Sequence, residues 1–131
     1  MPYAMKKPIE TIYSKVAGTT FYNVNWDAIG KGDFLEAVRE PSNPYDSNAI
    51  KLLHNGKQIG HIKKELAAEL APMMDNKLAG VLVEVQEITG ITQLGLFSPP
   101  TQPKSHKNRG INLSITITYQ QEYLNSFIDK G

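Results

Sequence analysis

Ile111-Asn112-Leu113-Ser114-Ile115-Thr116-Ile117-Thr118-Tyr119 is the stretch that decides the fold class. Its large apolar side chains occupy every odd position and its short polar ones every even position. That period of two belongs to a pleated strand with one buried face. The stretch therefore predicts a strand with Ile111, Leu113, Ile115, Ile117 and Tyr119 inward. Residues 78–89 carry the same signal, with Val81, Val83 and Val85 on one face and Leu82, Glu84 and Gln86 on the other.

Further strands lie toward the N-terminus. Residues 49–54 and 57–62 flank Asn55-Gly56, a strong signal for a type I′ hairpin because both central residues must adopt positive φ. Residues 33–39 predict a strand with Phe34, Glu36 and Val38 opposite Leu35 and Ala37, cut off by Pro41-Ser42-Asn43-Pro44. Residues 9–16 alternate loosely and read as a first strand, followed by a loop over 19–32 with one helical turn near 25–29. A single helix is expected over 64–76 on the stripe Leu66, Leu70, Met73 or Met74. Pro72 inside it predicts a kink, or two short helices meeting there. Residues 90–110 read as an exposed loop with a short strand at 94–97, ending in the basic run Lys104-Ser105-His106-Lys107-Asn108-Arg109.

Five or six short strands, one kinked helix and no alternation of strand with helix predict a mainly β domain. The expected architecture is a small antiparallel OB-like barrel, partly open, since closure removes unpaired edges. The domain is placed at 13–119, with 1–12 an extension or the start of the first strand and 120–131 a C-terminal tail.

Composition bounds function more loosely. At 131 residues and 40% apolar the chain suits one folded domain. It has no cysteine, hence no disulfide framework, thiol nucleophile or zinc finger. No apolar run reaches membrane-spanning length and the N-terminus lacks a signal-peptide core, so no membrane partner and a cytoplasmic setting are expected. The net charge is only +1, yet residues 47–64 hold four lysines and two histidines without an acid. Residues 88–121 likewise hold three basic residues, one histidine and no acid. Such segregation allows a positive face on a nearly neutral protein; solvated strand and turn lysines are the plainer reading.

Arg39-Glu40-Pro41-Ser42-Asn43-Pro44-Tyr45-Asp46-Ser47-Asn48-Ala49-Ile50 is the most specific segment. Its prolines fix φ, and Asn43 and Asp46 can bond nearby amides as Asx turns. Such a corner projects Tyr45, whose ring can stack on a base, and Asp46, whose carboxylate can accept from a sugar hydroxyl. The alternative is structural: Asp46 caps the turn and Tyr45 covers the core. Gln58-Ile59-Gly60-His61-Ile62-Lys63-Lys64-Glu65-Leu66 passes from strand to helix, which brings His61 and Lys64 beside helix N–H groups that can receive a phosphate. No Ser, Thr, Asp or Asn caps that helix.

These motifs, with Val16-Ala17-Gly18 and Gly32-Asp33 in order before them, resemble the HIRAN domain across most of the chain. The resemblance is read as that of a free-standing bacterial or phage member; other members sit at the N-terminus of helicase-like DNA-repair proteins. The resemblance implies a modified OB-like barrel that captures single-stranded DNA, at its free 3′ end in the best-understood eukaryotic members. It further implies that Tyr45 stacks on the terminal base and Asp46 bonds the 3′-hydroxyl, with Asn43 in the same wall. By the same resemblance, His61 and Lys64 contact backbone phosphates. Thr20-Phe21 stands where those members carry Arg-Tyr. Phe21 keeps the stacking surface, whereas Thr20 lacks the charged fork of arginine. Lys107 and Arg109 in the basic loop are candidate compensating cations, and Phe97 corresponds to a further aromatic on the late strands. A helicase or other DNA-processing protein is the implied partner.

Two other classes compete. An enzyme would have to assemble Asp33, Glu40, Asp46 and His61 into a metal or acid–base site, yet these acids read as turn and strand residues, and His54, His61 and His106 lack zinc-ligand spacing. No phosphate-binding Gly-rich loop ending in Lys-Ser or Lys-Thr is present. No catalytic centre, metal or cofactor is expected. A protein-interaction module within a DNA-processing complex is the stronger rival, with the aromatic corner gripping a peptide.

Overall fold

Strand pairing carries the alternation of 111–119 into three dimensions. A computed structural model of the protein describes residues 8–90 and 109–128. It contains strands β1 (Ile9–Ala17), β2 (Phe34–Arg39), β3 (Ile50–His54), β4 (Lys57–Ile62), β5 (Ala79–Thr89) and β6 (Gly110–Tyr119). A 3-10 turn, η1 (Thr19–Phe21), follows β1, and helices α1 (Lys64–Asp75) and α2 (Gln121–Ile128) complete the described chain. In β6, Ile111, Leu113, Ile115, Ile117 and Tyr119 are all buried, as the pattern required. Val83 and Val85 of β5 meet them inside the barrel.

Every strand pair is antiparallel, in the cyclic order β1-β4-β3-β2-β5-β6. The small antiparallel barrel that the sequence predicts is thus formed, and two short seams close it. β2 meets β5 only at Phe34↔Glu84 and Leu35↔Val83, and β1 meets β4 only at Val16↔Ile62 and Ala17↔His61. The second seam depends on Gly60. A Cβ there would lie 2.5 Å from the Ala17 carbonyl oxygen and would collide with the Val16 side chain, so only glycine lets β4 approach β1 so closely.

The β3–β4 turn has Asn55 at φ 51° and Gly56 at φ 83°, the positive pair that the sequence predicts. The single helical turn expected near 25–29 is also present, closed by Ile29 N–H on the Asn25 carbonyl at 3.2 Å. Of the two outcomes expected at Pro72, a split into two short helices is not found in α1, which runs unbroken through it. Proline deprives the Ala68 carbonyl of its helical donor, but Ala68 is exposed and water can take that place. Ala67, Leu70 and Ala71 face the core. The helix ends in a Schellman motif, with Leu78 N–H on Met73 O at 2.8 Å and Lys77 in the left-handed region at φ 56°.

Within the stretch read from sequence only as a tail, Gln121–Ile128 form α2, and Tyr123 stacks on Tyr119 with ring centroids 5.8 Å apart. Among the described residues no helix is long and apolar enough to cross a membrane. The short strand expected at 94–97 and most of the basic loop lie outside the described residues.

Candidate functional site

The corner between β2 and β3 is fastened by its own side chains. Asn43 Oδ1 accepts from the Tyr45 amide at 2.8 Å and the Asp46 amide at 3.1 Å, while Asp46 Oδ1 accepts from the Asn48 amide at 2.9 Å. Both are Asx turns of the kind the sequence predicts. Arg39 locks the corner from below, donating to the carbonyls of Ala49 at 2.6 Å and Ser47 at 2.8 Å. Its guanidinium also grips Asp75 at the end of α1, and this donor pair holds the Asp75 carboxyl below the usual aspartate range.

Tyr45 does not cover the core. It stands 93% exposed at the tip of this braced loop. Phe21 is likewise 85% exposed, at the end of η1. Gly18 produces that turn by adopting φ 79°, which redirects the chain straight after β1.

A polar chain connects the two supports. Tyr22, beside Phe21, accepts from Gln58 Nε2 at 3.0 Å and lies 3.5 Å from His61 Nδ1. His61 Nε2 is 2.6 Å from Glu40 Oε1, and Asn43 Nδ2 reaches the same oxygen at 3.5 Å. The chain therefore runs Tyr22–His61–Glu40–Asn43 and ends at the amide of Tyr45. His61, expected as a phosphate contact, has both ring nitrogens within reach of protein groups and is half-buried. Gln58 and Tyr22 were not singled out in the sequence, and Glu40 entered it only as a candidate acid of the enzyme reading. Only their meeting across three separate segments shows their place, and no local spacing carries it.

Lys64 opens α1 and is exposed, and no side chain caps that helix, as the sequence indicated. Thr20 is exposed within η1 beside Phe21. Arg109 sits apart from the corner, its guanidinium 5.9 Å above the Trp26 ring in the β1–β2 loop, with Nε buried and no hydrogen-bond partner among the described residues. Phe97 and Lys107 lie outside the described residues.

The acids do not converge. Asp33 accepts from the Gly30 amide at 2.9 Å and lies 3.0 Å from His54 Nε2; the amide first, then the imidazole, holds its carboxyl below the ordinary range. Asp46 caps its turn and Glu40 pairs with His61. Among the described residues no three His, Cys, Asp or Glu side chains gather to hold a metal ion.

Comparison with known proteins gives three findings. The model of the HIRAN domain matches residues 9–94. Mouse helicase-like transcription factor is 38% identical over 94 residues, 71% of this chain. The chain spans only 8% of the length of that relative, and the human protein gives the same share. These relatives are long mammalian proteins, whereas the sequence pointed to a free-standing bacterial or phage member. The crystal structure of the HIRAN domain of human HLTF superposes with a TM-score of 0.66 at 30% identity, over 91% of this chain and 84% of that one. The HLTF domain in its DNA-bound conformation, solved by NMR, gives a TM-score of 0.60 at 31% identity over 91% and 83% of the two chains.

Proposed function

This chain belongs to the HIRAN domain family, and from that premise we propose that it is a binding module for single-stranded DNA that holds a free 3′ end. The observation that carries the reading is the placing of two solvent-exposed rings, Phe21 and Tyr45, on rigid supports joined by one polar chain through His61. Exposed aromatic rings are costly to leave in water and stack readily on any base, each stack contributing roughly 1–3 kcal/mol. Asp46 has a second carboxylate oxygen beyond the one that caps Asn48, available to a terminal hydroxyl. Lys64 and the uncapped amides at the start of α1 supply the phosphate contact, and His61 borders it, oriented by Glu40.

Binding is sequence-indifferent and modest, because only a few phosphates are in reach. A DNA-bound conformation is described for the related HLTF domain, which supports DNA as the ligand class. A larger DNA-processing protein or helicase is the fitting context, given the length of the relatives. Fluorescence titration with otherwise identical strands ending in 3′-hydroxyl or 3′-phosphate tests the end-reading. The hydroxyl strand binds more tightly, and Asp46→Ala abolishes that preference. Equal affinities, unchanged in the variant, would remove the claim.

A further inference from the structure

Three lysines unused by the strand-end site line one cleft of about 570 Å³ on the outside of the barrel. They are Lys15 on β1, Lys31 in the β1–β2 loop and Lys63 between β4 and α1. All three are exposed. Pleating explains why two of them are neighbours. Val16 and Ile62 form an inward pair across the β1–β4 seam, so the residues one step beyond, Lys15 and Lys63, point outward side by side. Tyr13 follows two residues along the same outer row and is 74% exposed at the cleft. One acid, Glu87, shares the lining, and Asn112 Nδ2 lies 3.4 Å from it. Cations thus outnumber the anion in a wet cleft that carries one free ring.

Lys63 links the cleft along the chain to the strand-end site. Lys63 lies between His61, two residues back on the same outward face, and Lys64 at the helix start. Two residues of strand span about 6.6 Å, comparable to the step between phosphates on an extended single strand. We propose that this cleft is the path of the captured strand away from its end: Lys63, Lys15 and Lys31 take successive phosphates, and Tyr13 offers a ring to one base. The proposal rests on the strand-end reading above. It adds a length requirement that the rings alone do not impose.

The test compares a trinucleotide and a strand of about twelve nucleotides, both oligo-dT with free 3′ ends, by fluorescence anisotropy over a series of salt concentrations. The native chain binds the longer strand at least about tenfold more tightly. In Lys15→Gln/Lys31→Gln/Lys63→Gln that gain disappears and the trinucleotide stays within about twofold. The slope of log K against log salt also becomes shallower by about 2, at about 0.7 per phosphate. These lysines are exposed, so the variant keeps its fold, and an unchanged thermal midpoint verifies this. The single reversal Lys31→Glu, placed in a loop, gives a second reading in the same direction.

If the native chain binds both strands equally, or the triple variant keeps both the gain and the slope, the cleft is not the path while the strand-end site stands. If the lysines govern the longer strand but Tyr45→Ala changes nothing, the cleft stands and the strand-end reading falls. A glutamate homopolymer that occupies the lysines as tightly as the strand overturns the assignment to nucleic acid.

Discussion

Arg39 holds Asp75 with a two-pronged grip, Nε to Oδ1 at 2.8 Å and Nη2 to Oδ2 at 3.0 Å. The same guanidinium donates to the carbonyls of Ser47 and Ala49. One side chain thus ties the end of α1 to the loop that carries Tyr45 and Asp46. Lysine is a point charge without this fork. Arg39→Lys is expected to lose the two carbonyl bonds, at about 1 kcal/mol each. It lowers the thermal midpoint and weakens strand binding together. Unchanged affinity in a clearly destabilised variant would show that the loop does not need this brace.

The exposed rings separate binding from stability. Phe21→Ala and Tyr45→Ala remove side chains that make little contact with the core, so unfolding should move by less than about 0.5 kcal/mol. Affinity for a single strand should fall by roughly 1–3 kcal/mol for each ring. Calorimetric unfolding paired with binding titration checks both halves.

Thr20 provides a gain-of-function experiment. It is exposed beside Phe21, so Thr20→Arg adds a phosphate fork without disturbing packing. Affinity should rise at low salt, and the salt slope should steepen by about 0.7. An unchanged slope would place residue 20 away from the phosphates.

Acid should weaken the fold in a defined window. The carboxyls of Asp33 and Asp75 are both depressed, the first mainly by the Gly30 amide and the second by Arg39. A depressed carboxyl contributes its stabilisation in full above the ordinary aspartate value of about 3.9. That contribution is lost as pH falls through the lower folded value. Thermal midpoints should therefore drop below about pH 4, and Asp33→Asn and Asp75→Asn should each flatten that drop. An acid limb identical in both variants would assign it to other groups.

Gly60→Ala tests the β1–β4 seam. The added methyl meets the backbone of Ala17, which cannot yield as a flexible side chain can. A loss of about 1–3 kcal/mol is expected, together with shifted resonances around Ala17 and His61. A neutral result would mean that the two strands separate at little cost.

The legibility of the chain followed the range of the forces involved. The β6 pattern, the Asn55-Gly56 turn and the Asx turns of Asn43 and Asp46 are local, and each was readable from adjacent residues. The barrel was readable too, but the seams that close it were not, because each turns on two pairs between strands more than forty positions apart. The end of α1 was read to within one residue, although Lys77, not glycine, takes the left-handed position. Helix α2 was missed although its stacking of Tyr123 on Tyr119 spans only four residues, because no repeating apolar stripe marks so short a segment. At the candidate site, the braced corner and the projection of Tyr45 from it were legible from adjacent residues. The bridge formed by Tyr22, Gln58, His61 and Glu40 was not, since its members come from three segments.

The narrow junction between β1 and β4 has one more consequence. It is among the weakest stitches in the barrel, and His61 belongs both to it and to the chain of groups from Tyr22 to Asn43. A strand lying across it would act as a clasp, adding bonds where the protein has fewest of its own. Occupancy would then register chiefly as slower amide exchange at Ala17 and His61, a stiffening of the wall and not a change of shape.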